Sequence, residues 1–202
     1  MIQLSYSMVK FLDFIKAEIN IWVFHPSLWT RKLLAPKIII DDLEKLDAQR
    51  LMKAGIEAIA IDYDGVVVAY HSLKKPEESK VQKIRELSQL FTVGILSNRK
   101  GKLLQSLEAT LRELKLPILR CEKMKPHPDA YHNAAVCLSM PPSKTAIVED
   151  RLVTGIAGAN KLGMYTIWIS HPVKDGKEPW NVRTYRVVEE GLMRFYQWLS
   201  GN

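Results

Sequence analysis

Apolar positions follow two rhythms along the chain, and the change between them near residue 38 divides the sequence. Before it, Leu4, Met8, Phe11, Leu12, Ile15, Ile19, Trp22 and Val23 recur every three or four residues, the spacing of one apolar helical face. His25-Pro26 ends that helix, because proline disfavours helical geometry in the residue before it. Trp29, Arg31, Lys32, Pro36 and Lys37 then form an irregular basic connection. From residue 38 onward short apolar runs alternate with amphipathic stretches, which predicts an α/β fold with a parallel sheet covered by helices.

Five strands are expected: Ala58-Ile59-Ala60-Ile61, Thr92 to Leu96, Pro117 to Arg120, Ala146-Ile147-Val148 and Tyr165 to Ile169. Between them, Pro76, Glu77 and Glu78 open a helix that buries Val81, Ile84, Leu87 and Leu90, since proline and acids suit a first turn. Leu103, Leu107, Leu111 and Leu114 mark a second helix, and residues 128–138 a third. Gly163 caps the helix before the last strand. Polar residues recur at the carboxyl ends of these strands: Asp62 and Asp64, Ser97 and Asn98, Glu149 and Asp150. That edge is where open α/β sheets bind ligands.

The length of 202 residues suits one α/β domain, preceded by the helix and basic connection of residues 1–40. The net charge of +7 favours an anionic partner. It is dispersed, without a basic-aromatic stripe, so nucleic acid is not expected. Lys10, Asp13, Lys16 and Glu18 keep the N-terminal apolar run below the roughly 18 residues of a membrane span. No export signal is evident, and a cytoplasmic protein is expected. Cys121 and Cys137 lack metal or disulfide spacing.

The strand-end acids suit phosphate-ester hydrolysis. One carboxylate can attack phosphorus, giving an aspartyl-phosphate. A second, two residues on, can act as general acid and then base. Gly65 lets the chain turn away directly afterwards. So many acids beside a phosphate call for a hard cation such as Mg²⁺.

Taken together, Asp62-Tyr63-Asp64-Gly65-Val66, Ser97, Lys125-Pro126-His127-Pro128 and Glu149-Asp150 resemble the four ordered motifs of the haloacid dehalogenase (HAD) phosphatases. Their spacings of 35, 28 and 25 residues, between Asp62, Ser97, Lys125 and Asp150, are each about one βα unit. Within that superfamily the chain is most similar to the YqeG and phosphatidylglycerophosphate phosphatase family. The lead-in from Asp41 to Ile56, the segment Thr154 to Asn160 and the late Glu178, Arg183, Arg186 and Glu189 carry that likeness.

The resemblance implies a HAD-like Rossmannoid three-layer domain over residues 41–202, with a parallel five-stranded sheet. The short intervals between motifs leave no room for a cap domain. Asp62 would be nucleophile and metal ligand, and Asp64 acid/base with its carbonyl on the metal. Ser97, Asn98 and Lys125 would bind phosphate, and Glu149 and Asp150 would complete a Mg²⁺ site. Many members have an Asp at the position of Gly155 and a Gly at that of Glu149, so Glu149 would have to supply the acid.

Blander readings compete at several positions. Ser97 also suits a helix N-cap, Lys125 an ordinary solvated lysine, His127 a loop role, and Arg183 and Arg186 a surface salt bridge in place of a second-phosphate site. For the helix of residues 4–23 the choice lies between packing on the domain and peripheral membrane contact through residues 4–32. The substrate expected is a phosphorylated lipid head group such as phosphatidylglycerophosphate. A small metabolite or nucleotide is the alternative, and a degenerate HAD domain used for binding is the non-enzymatic one.

Overall fold

The computed structural model describes residues 33–119 and 123–200. The helix expected over residues 4–23, its basic connection through Lys32, and Arg120 and Cys121 lie outside them.

Five parallel strands form one sheet in the order β1-β5-β4-β2-β3: β1 (Ile38–Ile40), β2 (Ala58–Asp62), β3 (Thr92–Leu96), β4 (Thr145–Glu149) and β5 (Tyr165–Ile169). β2 and β4 lie inside the sheet and are buried along their whole length. That is why both read as continuous apolar runs and not as alternating ones. The sheet differs from the sequence reading at one strand. Pro117 to Leu119 makes only a bridge to β3, in which Leu119 donates to the Ile95 carbonyl at 2.8 Å and Ile95 to the Pro117 carbonyl at 3.0 Å. Pro117 has no N–H to extend such a ladder. The fifth strand is instead Ile38–Ile40, paired with β5.

Alternation along β2 divides the core. Ile59 and Ile61 join Ile84, Leu87, Leu107 and Leu111 on one face, while Ala58 and Ala60 join Tyr131, Ala134 and Ala159 on the other. The first group comes from α2 (Glu78–Ser88) and α3 (Gly101–Leu114), which follow the short α1 (Ala48–Lys53). The second comes from α4 (Pro128–Cys137) and α5 (Ala157–Lys161). Helices thus cover both faces of the sheet. Leu90, expected inside, is exposed because α2 ends at Ser88. A wider π-helical turn, Leu152–Ile156, leads into α5. The last helix, α6 (Trp180–Ser200), returns over that turn, placing Met193 against Leu152, Ile156 and Trp168.

Residues 63–77 contain no helix or extended strand, and α3 is the only regular element described between β3 and Lys125. Neither interval holds a cap domain among the described residues. Among those residues, too, no helix is long and apolar enough to cross a membrane.

Candidate active site

β2 delivers Asp62 to the carboxyl edge of the sheet, almost fully buried. Its Oδ1 accepts from the Tyr63 N–H at 2.8 Å and faces Lys125 Nζ at 2.9 Å. Its Oδ2 has no hydrogen bond among the described residues and is not sealed from solvent. One oxygen is therefore fixed and the other is open. Burial pushes the Asp62 carboxyl above its usual range, and the charges of Asp150 and Asp64 add to this against the pull of Lys125.

Two residues on, Asp64 is clamped. Arg99 Nε donates to Oδ2 at 2.9 Å and Nη2 to Oδ1 at 2.8 Å, while the His71 N–H reaches Oδ1 at 2.7 Å. A carboxylate has about four acceptor positions. The one left by these three bonds is on Oδ2. Arg99 is itself held by the Ser72 carbonyl at 2.8 Å and lies over the Tyr63 ring at 4.6 Å. Gly65 has φ +85°, and a Cβ there would fall 2.1 Å from Asp150 Oδ2. Only glycine lets the β2 end approach the β4 end so closely.

β4 delivers Glu149 and Asp150, both buried. Glu149 meets Lys125 Nζ at 2.6 Å. Burial raises its carboxyl well above the usual range, with the charge of Asp62 adding to the effect. Gly155, on the π-helical turn, faces it directly: a Cβ on Gly155 would lie 2.6 Å from Glu149 Oε2. The Glu149 side chain thus fills the space that an acid at position 155 would need. Asp150 is paired with Arg186, which also donates to Glu178 at 2.9 Å; all three are buried. Arg186 is accordingly part of a buried ion pair and not a surface salt bridge, whereas Arg183 is exposed.

Asp62, Glu149 and Asp150 can each offer an oxygen within 4.8 Å of the others. Lys125 and Arg186 supply two positive charges against these three carboxylates and Glu178, the other partner of Arg186. The remaining charge and the all-oxygen donor set fit a hard divalent cation. Asp64 is not in this group through its side chain, which Arg99 occupies.

Lys125 is buried between Asp62 and Glu149. Burial alone would lower its pKa, but the two carboxylates more than offset this and hold it protonated. It is therefore not the solvated lysine of the bland reading. Asn98 fixes its backbone: Nδ2 donates to the Lys125 carbonyl at 3.1 Å, and Oδ1 accepts the Lys125 N–H at 3.0 Å. Ser97 Oγ accepts the Arg99 N–H at 3.2 Å, whereas the cap position of α3 is Lys100, so Ser97 is not the N-cap. His127 does cap α4, its ring accepting from the Asp129 N–H.

A cavity of about 210 Å³ gathers Asp62, Asp64, Asn98, Lys125, Glu149 and Asp150 along its wall, and Ser97 is not among its lining residues. Tyr70, His71, Arg151, Thr154 and Arg186 line it as well. Sequence reasoning passed over Arg99 and Arg151. Both directly follow strand-end motifs, and a cation at that position was the available signal.

An acidic β2 end, a lysine from the loop before α4 and an acidic β4 end around one cavity, on a parallel sheet without a cap among the described residues, define a HAD-like domain. The pattern of the family described as mitochondrial PGP phosphatase matches residues 16–174, and the chain belongs to that family. Phosphatidylglycerophosphate phosphatase 1, chloroplastic/mitochondrial, of Arabidopsis thaliana is 25% identical over 181 residues, covering 84% of this chain and 49% of its own length. The chain thus spans about half of that curated relative. One solved structure aligns with 70% of this chain and 84% of its own at a TM-score of 0.52 and 11% identity, a likeness of fold alone. A haloacid dehalogenase-like hydrolase of Streptococcus pneumoniae aligns with 65% of this chain and 91% of its own, at 14% identity and a TM-score of 0.44.

Proposed function

We propose that the protein is a Mg²⁺-dependent phosphomonoester hydrolase that works through an aspartyl-phosphate on Asp62. The observation that carries this reading is the asymmetry of Asp62, with Oδ1 held by Lys125 and the Tyr63 N–H and Oδ2 open beside the cavity. In the first step Asp62 Oδ2 attacks phosphorus and the bond to the leaving oxygen breaks. Asp64 gives that oxygen a proton from its free Oδ2 position. Asp64 then takes a proton from the water that attacks phosphorus, releasing phosphate and restoring the Asp62 carboxylate. Lys125 neutralises charge between nucleophile and phosphoryl group, with Asn98 holding it in place; Ser97 is assigned to the phosphoryl oxygens by resemblance. Asp62, Glu149 and Asp150, with the Asp64 carbonyl, would hold Mg²⁺, which supplies positive charge against the phosphoryl oxygens. The fit of Glu149 into the space above Gly155 supports its standing in for the absent acid.

For the substrate, the family and the name of the Arabidopsis relative favour a phosphorylated glycerol head group of a lipid. The cavity is below the roughly 300 Å³ at which drug-sized pockets begin, so it takes a head group and leaves acyl chains outside. Peripheral membrane contact through residues 4–32 suits such a substrate; that segment lies outside the described residues. The test is phosphate release from a panel of phosphomonoesters, with and without Mg²⁺. Release that needs the metal and is lost in Asp62→Asn supports the reading; undiminished release by Asp62→Asn overturns it.

A further inference from the structure

Two glycines three residues apart let two neighbouring elements close on the π-helical turn and the start of α5. Opposite Gly155 stands Glu149, with Oε2 only 2.6 Å from where a Cβ would lie. Opposite Gly158 stands Tyr131 of α4: a Cβ on Gly158 would fall 2.2 Å from its Cε2 and 3.0 Å from the Pro126 carbonyl. The Tyr131 side chain is fully buried, and its hydroxyl donates to the Thr154 carbonyl at 2.6 Å. Around that carbonyl the Ile156 and Ala157 N–H groups donate to the carbonyls of Arg151 and Leu152, five residues back, the winding of a π-helix. The Thr154 carbonyl is part of the peptide that joins Thr154 to Gly155. The hydroxyl from α4 therefore anchors the same peptide that faces Glu149.

Glu149 itself is tied at one oxygen. Its Oε1 meets Lys125 Nζ at 2.6 Å, whereas Oε2 has no hydrogen bond among the described residues and is not sealed from solvent. What confines Oε2 on one side is the Gly155 backbone. A peptide displaced towards Glu149 would push the carboxylate aside, and one displaced away would let it turn from Asp62 and Asp150. Close packing on both sides of the turn transmits either shift. Carboxylates that hold a cation depend on outer partners that orient them. We infer, resting on the metal-dependent reading above, that Tyr131 is a positioning residue for the cation site. Its hydroxyl holds the Thr154–Gly155 peptide against Glu149 and so keeps that carboxylate beside Asp62 and Asp150. α4 places no side chain on the cavity wall, yet through this bond it sets one corner of the site.

The test reads Mn²⁺ binding to the full chain without substrate, by electron paramagnetic resonance of the free ion, with Mg²⁺ as competitor. Phosphate release from a phosphomonoester is then followed across a range of Mg²⁺ concentrations. Tyr131→Phe removes the hydroxyl and keeps the ring that Gly158 receives. It should raise the dissociation constants of both ions roughly tenfold to a hundredfold, and added Mg²⁺ should make up the turnover lost at low Mg²⁺. Leu138→Val takes one methylene from the same core cluster without touching the bond to Thr154, and should bind Mn²⁺ as the wild type does. Unchanged Mn²⁺ binding in Tyr131→Phe overturns the positioning role and leaves the phosphatase reading intact. Equal weakening in both variants also overturns it, because a general loosening of the core is then enough. So does a turnover deficit in Tyr131→Phe that no Mg²⁺ concentration recovers. A wild-type protein that binds Mn²⁺ but releases no phosphate removes the phosphatase reading alone, since Tyr131→Phe is still read by binding. One that binds neither ion and releases no phosphate removes both.

Discussion

The ends of β2 and β4 each bring two acids to the same cavity, yet they are built differently. At β2 the supports are the Tyr63 and His71 N–H groups of the following loop and Arg99 from just beyond β3, and Oδ2 of each acid keeps an open position. At β4 the supports come chiefly from the last helix. Arg186 and Glu189, on α6, hold Asp150 and Arg151, and Gly155 leaves the space for Glu149. In the proposed mechanism the first end reacts and the second concentrates charge in a fixed place.

The largest expected effect is at the β2 end. Asp62→Asn should lower turnover by at least about a thousandfold, because it removes the carboxylate oxygen proposed to accept the phosphoryl group. The same variant should unfold within about 1 kcal/mol of the wild type, as ordinary substitutions do. Activity assays and chemical denaturation of one preparation check both halves. At the β4 end the balance should reverse towards stability. Arg186→Met leaves Asp150 and Glu178 buried and unpaired, and the expected loss is about 3–5 kcal/mol in denaturant unfolding. A loss below about 1 kcal/mol would show that α6 does not brace this strand end.

The next effect sharpens the exchange between Glu149 and Gly155. Gly155→Asp forces a side chain into the Glu149 carboxylate and should cost about 10- to 100-fold in turnover or Mg²⁺ affinity. Adding Glu149→Gly should recover most of that loss, since the pair then has the arrangement found in many HAD phosphatases. No recovery would mean that the two positions do not trade one acid. The smallest effect lies away from both strand ends. Lys75 and Glu113 form an exposed ion pair, and Lys75→Ala should change stability by less than about 1 kcal/mol and leave turnover unaltered.

The difference between the strand ends also explains what could be read from the sequence. Parallel strands buried on both faces leave unbroken apolar runs, so β2, β3, β4 and β5 were legible. β1 was not, because three residues at a sheet edge carry too little pattern, and Pro117 to Arg120 imitated a strand with an apolar run whose first residue has no N–H. That Asp62, Asp64, Glu149 and Asp150 meet at one sheet edge was legible, because each ends or directly follows a strand, and Lys125 joins their cavity from the loop before α4. The partners were not. Arg99 on Asp64, Arg186 on Asp150 and Glu189 on Arg151 are pairings at separations of 35 to 38 residues, set by how helices and loops return to the sheet edge. Asn98 was noted, but its role in fixing the Lys125 peptide depends on a loop geometry that spacing does not encode.

Transfer of the phosphoryl group to the open oxygen of Asp62, as proposed, can be read at the residue itself. Acid quenching during turnover with Mg²⁺, reduction of any acyl phosphate with borohydride, and peptide mass spectrometry would convert a phosphorylated aspartate to homoserine and locate it. Homoserine is expected at position 62 and nowhere else. Phosphate release with Asp62 unmodified and homoserine at another acid would contradict it.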